Sequence, residues 1–313
     1  MIGNERPSGK RTVSVAPADV IAAESGVRGA SLRKATLIVF RQNRLALAGL
    51  VIVVGFLLFC FVGPVFYHTN QIATNVQIAN QPPSAKHLLG TDSVGYDELG
   101  RLMVGGRITL FVALAVAVLA TSIGLIWGCA AGVSRAAVDS LMMRIVDAAL
   151  AIPGIFLLIF LNSILKPSVL VLIFVITALA WLVPSRLVRA EVLSLRERPF
   201  VEASRAAGAG GLRIVFRHMV PNVFGTVVVN ATFQVADAVL TVAALSFLGL
   251  GIPPPAANWG SMLANGVNYT FAGYWWQIWP AGICIVAVVV GFNFIGEGLR
   301  DAIDVRLRAA TSR

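Results

Sequence analysis

Charge is scarce in this sequence. Asp, Glu, Lys and Arg together make up 13% of its 313 residues, about half the roughly 25% found in soluble domains. A soluble chain of this length with so little charge could not cover its own surface. With 57% hydrophobic residues and a mean hydropathy of +0.81, lipid is the expected solvent for much of the chain. Cysteine and histidine are also sparse, at three each. Cys60, Cys129 and Cys284 lie inside apolar runs and read as small buried hydrophobes, with no disulfide or zinc spacing among them. His68, His87 and His218 are scattered, and no metal site follows from them. No Gly-x-x-x-x-Gly-Lys-Ser/Thr phosphate loop occurs, so ATP binding by that device is not expected. The apolar runs hold no paired carboxylates, His-Glu-x-x-His or Ser/His/Asp arrangement, which argues against a membrane-embedded enzyme. No internal repeat is visible.

What is present is a series of six apolar runs near the ~20 residues a helix needs to cross a bilayer. They are Leu45–Phe66, Ile108–Val133, Leu141–Leu165 (with Pro153), Val169–Pro184, Val223–Leu250 and Trp276–Ile295. Backbone groups in lipid must be satisfied internally, and no barrel-like alternation appears, so the expectation is an all-α polytopic membrane protein with six transmembrane helices. Residues 1–35 are rich in Gly, Ala, Ser and Arg without apolar periodicity and read as a flexible tail. They lack the apolar core of a signal peptide.

The net charge of +10 suggests nucleic acid only until its distribution is examined. Basic residues sit between the runs, and 21 of the 25 fall on one side: the N-terminal tail, the 134–140 region with Arg144, the 186–222 loop and the C-terminal tail. Only Lys86, Arg101, Arg107 and Lys166 fall on the other. By the positive-inside rule both termini are cytoplasmic. The chain then divides into a tail (1–35), a first helix with an external segment (36–106), a core (107–300) with an internal loop at 186–222, and a C-terminal tail (301–313). The external stretch 67–106 is too long for a simple connection. That stretch and the 252–275 loop face the side of substrate entry, where by position they are candidates for contacting a substrate-delivering protein, and otherwise read as solvated. Trp275, Trp276 and Trp279 read as an interfacial aromatic belt.

The internal loop contains Arg198-Pro199-Phe200-Val201-Glu202-Ala203-Ser204-Arg205-Ala206-Ala207-Gly208. Pro199 suits a first helical turn, and Glu202 favours the same dipole end. Ala203, Ala206 and Ala207 form a small-residue face, and Gly208 to Gly211 end the helix. On these grounds alone it is either an element that docks into a partner's groove or an amphipathic connector on the membrane surface.

Glu202-Ala203-Ser204, then Gly208, then Pro221 thirteen residues later, resembles the EAA loop of binding-protein-dependent ABC importer permeases. His218 stands where that pattern often has isoleucine, and Val220 where it has leucine. Four further stretches resemble the C-type permease of the dipeptide/oligopeptide branch: His87–Asp92, Leu245–Gly251, Asn258–Leu263 and Gly298–Asp304. Together they cover the chain from about residue 35 to its end. The resemblance implies a type I importer permease fold. It implies partners: a homologous permease, two cytoplasmic ATPases carrying ATP and Mg2+, and an extracytoplasmic binding protein, with no cofactor on this chain. It makes the helix about Glu202, Ala203, Ser204, Ala207 and Gly208, with Pro221, the ATPase-coupling element. The implied cargo is a di- or oligopeptide, although nickel chelates, opines and glutathione use similar permeases. A self-contained secondary transporter is the competing class.

Ionisable residues within spans are costly and mark function by default. Asp237, midway along the fifth run, either lines a hydrated pathway with Gln234 and Asn230 or is bonded to them or to a neighbouring helix. The family often carries an acidic residue five positions later, where this chain has Val242. Asp147 is expected to pair with Arg144, one helical turn away.

Overall fold

A computed structural model describes residues 39–311; the tail read as 1–35 lies outside them. The regular elements of the described chain are helices, in the order α1 (Arg44–Phe61), α2 (Gly63–Phe66), α3 (Glu98–Val133), α4 (Ala136–Leu150), α5 (Gly154–Ile164), α6 (Val169–Ala180), α7 (Leu182–Arg196), α8 (Pro199–Ala206), α9 (Gly211–Ile214), α10 (Val220–Phe247), α11 (Trp259–Val267) and α12 (Trp279–Thr311). A π-helical turn, Val215–Met219, joins α9 to α10.

Four helical stretches are long and apolar enough to span a membrane by themselves: Arg44–Phe66, Glu98–Val133, Gly211–Leu250 and Trp275–Ile303. Two bent helix pairs pass the same test together, which makes up to six if each pair is one span, as the six apolar runs predict. The α4/α5 pair turns by 80° and α6/α7 by 41°. Pro153 explains the first bend, since it offers no N–H and cannot continue α4. It caps α5 instead, with an extended backbone. Pro184 lies in the first turn of α7, where a missing N–H costs little.

At 36 residues, α3 is about 54 Å long, well beyond the ~30 Å hydrocarbon thickness. It therefore absorbs residues 98–106 of the expected external segment. Likewise α12 runs on through the stretch read as the C-terminal tail, to Thr311.

Small residues set how closely these helices approach, as expected where lipid gives no hydrophobic drive for association. Gly124, Gly128 and Gly132 recur every fourth residue on α3 and face α7. A Cβ at these positions would come within 2.6–2.7 Å of Pro184, of Ser185 O and Val188, and of Val192. Gly49 of α1 meets Gly291 O and Phe294 of α12 in the same way. Gly128→Leu is therefore expected to destabilise the bundle by about 3 kcal/mol, while Gly55→Leu, with open space around it, is neutral. Thermal unfolding in detergent reads both; equal melting of the two variants would refute the close-packed crossing.

The main core gathers buried residues of α3, α6, α10, α11 and α12, among them Leu110, Val116, Leu172, Val239, Leu245 and Trp259. Trp259 is fully buried, and its indole N–H donates to Leu102 O at 3.0 Å. Asn258 caps α11 in a reciprocal capping box with Ser261, which accounts for the Asn258–Leu263 stretch structurally. A second, smaller core lies at the α8 end of the bundle: Cys129, Val188, Val192, Val201, Ile214, Val215, Met219 and Val223.

The segment before α3 is largely exposed over residues 68–88, but residues 90–92 and 95–97 are buried and held in place. Asp97 caps α3 through Gly100 N at 2.8 Å, accepts from Tyr67 OH at 2.9 Å and lies 2.9 Å from His87 Nδ1. Burial, reinforced by that carboxylate, raises the Tyr67 phenol above its usual pKa. Asp92 accepts from Tyr96 N at 2.8 Å and faces Arg101 at 3.6 Å. Gly90 adopts φ +72°, where a Cβ would run into Gln81 O and the Trp276 indole. Trp276 is buried, and its N–H donates to Thr91 O at 3.1 Å. It is thus an internal tether, not a belt residue; Trp275 and Trp279 remain exposed. Gln277 Nε2 adds a bond to Asn80 Oδ1 at 2.8 Å. Asp97→Ala removes a helix cap and two side-chain bonds, an expected loss of about 3 kcal/mol. Limited proteolysis should then cut within 67–97; unchanged resistance would show that the segment is held otherwise.

Candidate functional site

Two features stand on one long rod, the stretch Gly211–Leu250. The first is α8, packed against the base of that rod. Arg198 precedes it with extended backbone, Pro199 starts it and Glu202 lies in its first turn. The helix ends at Ala206, earlier than a helix running to Gly211 would, because Gly208 turns at φ +80°. Only Gly, among common residues, adopts such a conformation without penalty.

One side of α8 is anchored. Val201 is fully buried in the smaller core, and Ser204 is half-buried beside His218. The opposite side presents Glu202, Ala203, Ala206, Ala207 and Gly208, all exposed. Thus the residues read as a coupling set divide: Ser204 faces inward, while Glu202, Ala203, Ala207 and Gly208 face out. Pro221 is exposed in the first turn of α10, just after the π-helical turn.

The second feature is a cavity of about 520 Å³ halfway along α10. Its walls are Gln234, Asp237 and Thr241 of α10, the Ile152–Ile155 elbow between α4 and α5, and Ile176 and Leu179 of α6. The sharp bend at Pro153 opens this space by turning α5 away from the line of α4. Gln234 and Asp237, three residues apart, share a helix face and both line it. Asn230 does not line the cavity; its Oδ1 is enclosed two turns nearer α8, without a hydrogen-bond partner among the described residues. The Asp237 side chain is exposed and forms no ion pair among the described residues. Val242 is fully buried and could not present a charge to this space. Thr241 and the elbow escaped the sequence reading; the i+4 spacing of Thr241 from Asp237 was the one available signal.

Two ion pairs brace the α8 end. Arg189 grips Asp139 with two bonds, at 2.5 and 2.6 Å, and Arg186 pairs with Asp147. The expected Asp147–Arg144 pair is replaced by this contact from α7. The broken span holds α4 against α7, and a guanidinium brought in by tertiary packing outcompetes the one-turn neighbour. Arg189→Met should loosen α4 with a cost of about 2 kcal/mol, read as a lower melting temperature; no shift would mean the pair is energetically idle.

The architecture defines a multi-pass helical membrane protein with a short helix appended outside its bundle. Residues 122–309 match the model of the binding-protein-dependent transport system inner membrane component, and residues 31–83 that of the N-terminal TM domain of oligopeptide transport permease C. The oligopeptide transport system permease protein OppC of Bacillus subtilis (strain 168) is 40% identical over 279 residues, spanning 89% of this chain and 91% of its own. A relative in Brucella suis biovar 1 is 44% identical over 273 residues, 85% of this chain and 89% of its own. In fold, the chain resembles one from the inward-facing MetNI methionine ABC transporter, at a TM-score of 0.54 and 24% identity, over 66% of this chain and 96% of that one.

The chain belongs to the binding-protein-dependent transport system inner membrane component family. It is a permease subunit of an ABC importer, a transport component and not an enzyme, and it works with another permease and with ATPase subunits.

Proposed function

We propose that this permease, paired with a homologous one, forms the pathway for di- or oligopeptides delivered by an extracytoplasmic binding protein. Both termini and α8 lie in the cytoplasm, as the distribution of Lys and Arg requires. Two ATPases holding ATP and Mg2+ receive the exposed face of α8 about Glu202, Ala203, Ala207 and Gly208. The observation that carries this reading is the continuity of α10. The segment bearing the α8 anchor and the one bearing Gln234 and Asp237 are one helix, so displacement of α8 moves the cavity wall as a rigid body. Asp237 offers a fixed anion to a peptide ammonium group. The names of the relatives, a mid-span carboxylate with no ion pair among the described residues and the apolar cavity walls support a peptide over a metal chelate.

Purification from native membrane in mild detergent tests the assembly. Recovery of a second permease and two ATPases, lost on Glu202→Arg, is the expected result. A chain that came alone and transported alone in liposomes would refute it and favour a self-contained carrier.

A further inference from the structure

His218, one of the two residues that depart from the family pattern in the internal loop, sits where α8 meets the π-helical turn. Its Nε2 is 3.3 Å from Ser204 Oγ, and its ring lies 6.0 Å from that of Phe200. Its carbonyl accepts from the Asn222 side-chain amide. Ser204 Oγ is also 2.8 Å from Phe200 O, and toward a carbonyl the hydroxyl can only donate. Its single proton is therefore committed there, so at His218 it accepts and Nε2 carries the hydrogen. The contact is directional and joins residues 14 positions apart. Among the described residues it is the side-chain hydrogen bond that joins α8 to the rod, while Val201 supplies only non-directional burial. π-Turns of this kind concentrate at functional positions.

We propose that His218 is a positioning residue that clamps α8 to the base of α10, so that force applied to α8 is passed to the cavity wall. This rests on α8 being the ATPase-docking helix. Apolar contact at Val201 lets α8 swivel; a donor at 218 fixed to Ser204 removes that freedom. An isoleucine at this position would pack against Phe200 but could not hold the serine.

The test uses the intact importer in liposomes, with spin labels at Ile155 of α5 and Leu240 of α10, which both line the cavity. In the otherwise native complex, ATP with vanadate should change the distance between the labels. His218→Ala should leave ATPase docking and hydrolysis in place but reduce the responding population about fivefold, the equivalent of one net hydrogen bond. Gln, whose amide nitrogen reaches where Nε2 does, should restore it. Ser204→Ala should match His218→Ala, and the double variant should be no worse than either, the signature of one shared contact. A full response in His218→Ala, no rescue by Gln, or joint loss of docking and hydrolysis would overturn the clamp. Should Glu202→Arg leave the ATPases bound, the docking assignment of α8 fails instead, independently of His218.

Discussion

Asp237→Lys is expected to abolish peptide uptake, by about 100-fold or more, without loss of assembly. A lysine in the cavity would repel a substrate ammonium group where the carboxylate attracts it. Asp237→Asn keeps the size and hydrogen-bonding capacity but removes the charge, and should lower uptake about 10- to 100-fold, the worth of a charge-assisted bond. Because the side chain is exposed toward the cavity and forms no ion pair among the described residues, neither change strands a buried partner, and thermal stability should barely move. Uptake of a labelled tripeptide into energised vesicles distinguishes the cases. Wild-type uptake by Asp237→Lys would remove Asp237 from the pathway. A large fall in melting temperature with either variant would recast it as a packing residue.

The second large effect is expected from Val201→Asp. Val201 is fully buried among Val188, Val192, Ile214, Met219 and Val223. A carboxylate there would have no partner, and burying it costs several kcal/mol. The least costly response is for α8 to leave its seat, since it is only eight residues long and has little stability of its own. The spans should remain packed, because their crossings rest on the glycines of α3 and on the main core. Transport should fall at least about 100-fold, with the ATPases either released or hydrolysing without effect. Val201→Ala, by contrast, should cost only about 1–2 kcal/mol and leave transport measurable. Equal, mild effects of Asp and Ala would mean that α8 is not held by this contact, and that its motion is not what drives the cavity.

Much of this molecule was legible without coordinates where the signal is local. The hydropathy runs located the four long spans and the two bent helix pairs because each contains its own evidence: about twenty residues that water would reject. The short helix from Pro199 was equally readable, from its first-turn proline and the glycine that ends it. Less local features were misread. Asp147 was assigned to Arg144, the neighbour in sequence, because no rule of spacing brings Arg186 to it. Residues 67–97 read as solvated, and most of 68–88 is exposed; what the spacing did not reveal is that Thr91 is buried and held by Trp276 and Gln277, almost two hundred positions away. Trp276 itself has the composition of a belt residue and the position of a core one.

The sequence by itself therefore determined the solvent, the apolar runs, the family and the short helix from Pro199, all of which depend on composition or on short spacings. Only the tertiary structure decided which side of α8 is free, that Ser204 is turned inward to His218, that Asn230 lies outside the cavity that Gln234 and Asp237 line, and that Pro153 bends a span by 80° to make that cavity. Those outcomes depend on the angle and closeness of helix crossings. Crossings are fixed by small residues on two helices at once, and no stretch of one helix contains that information.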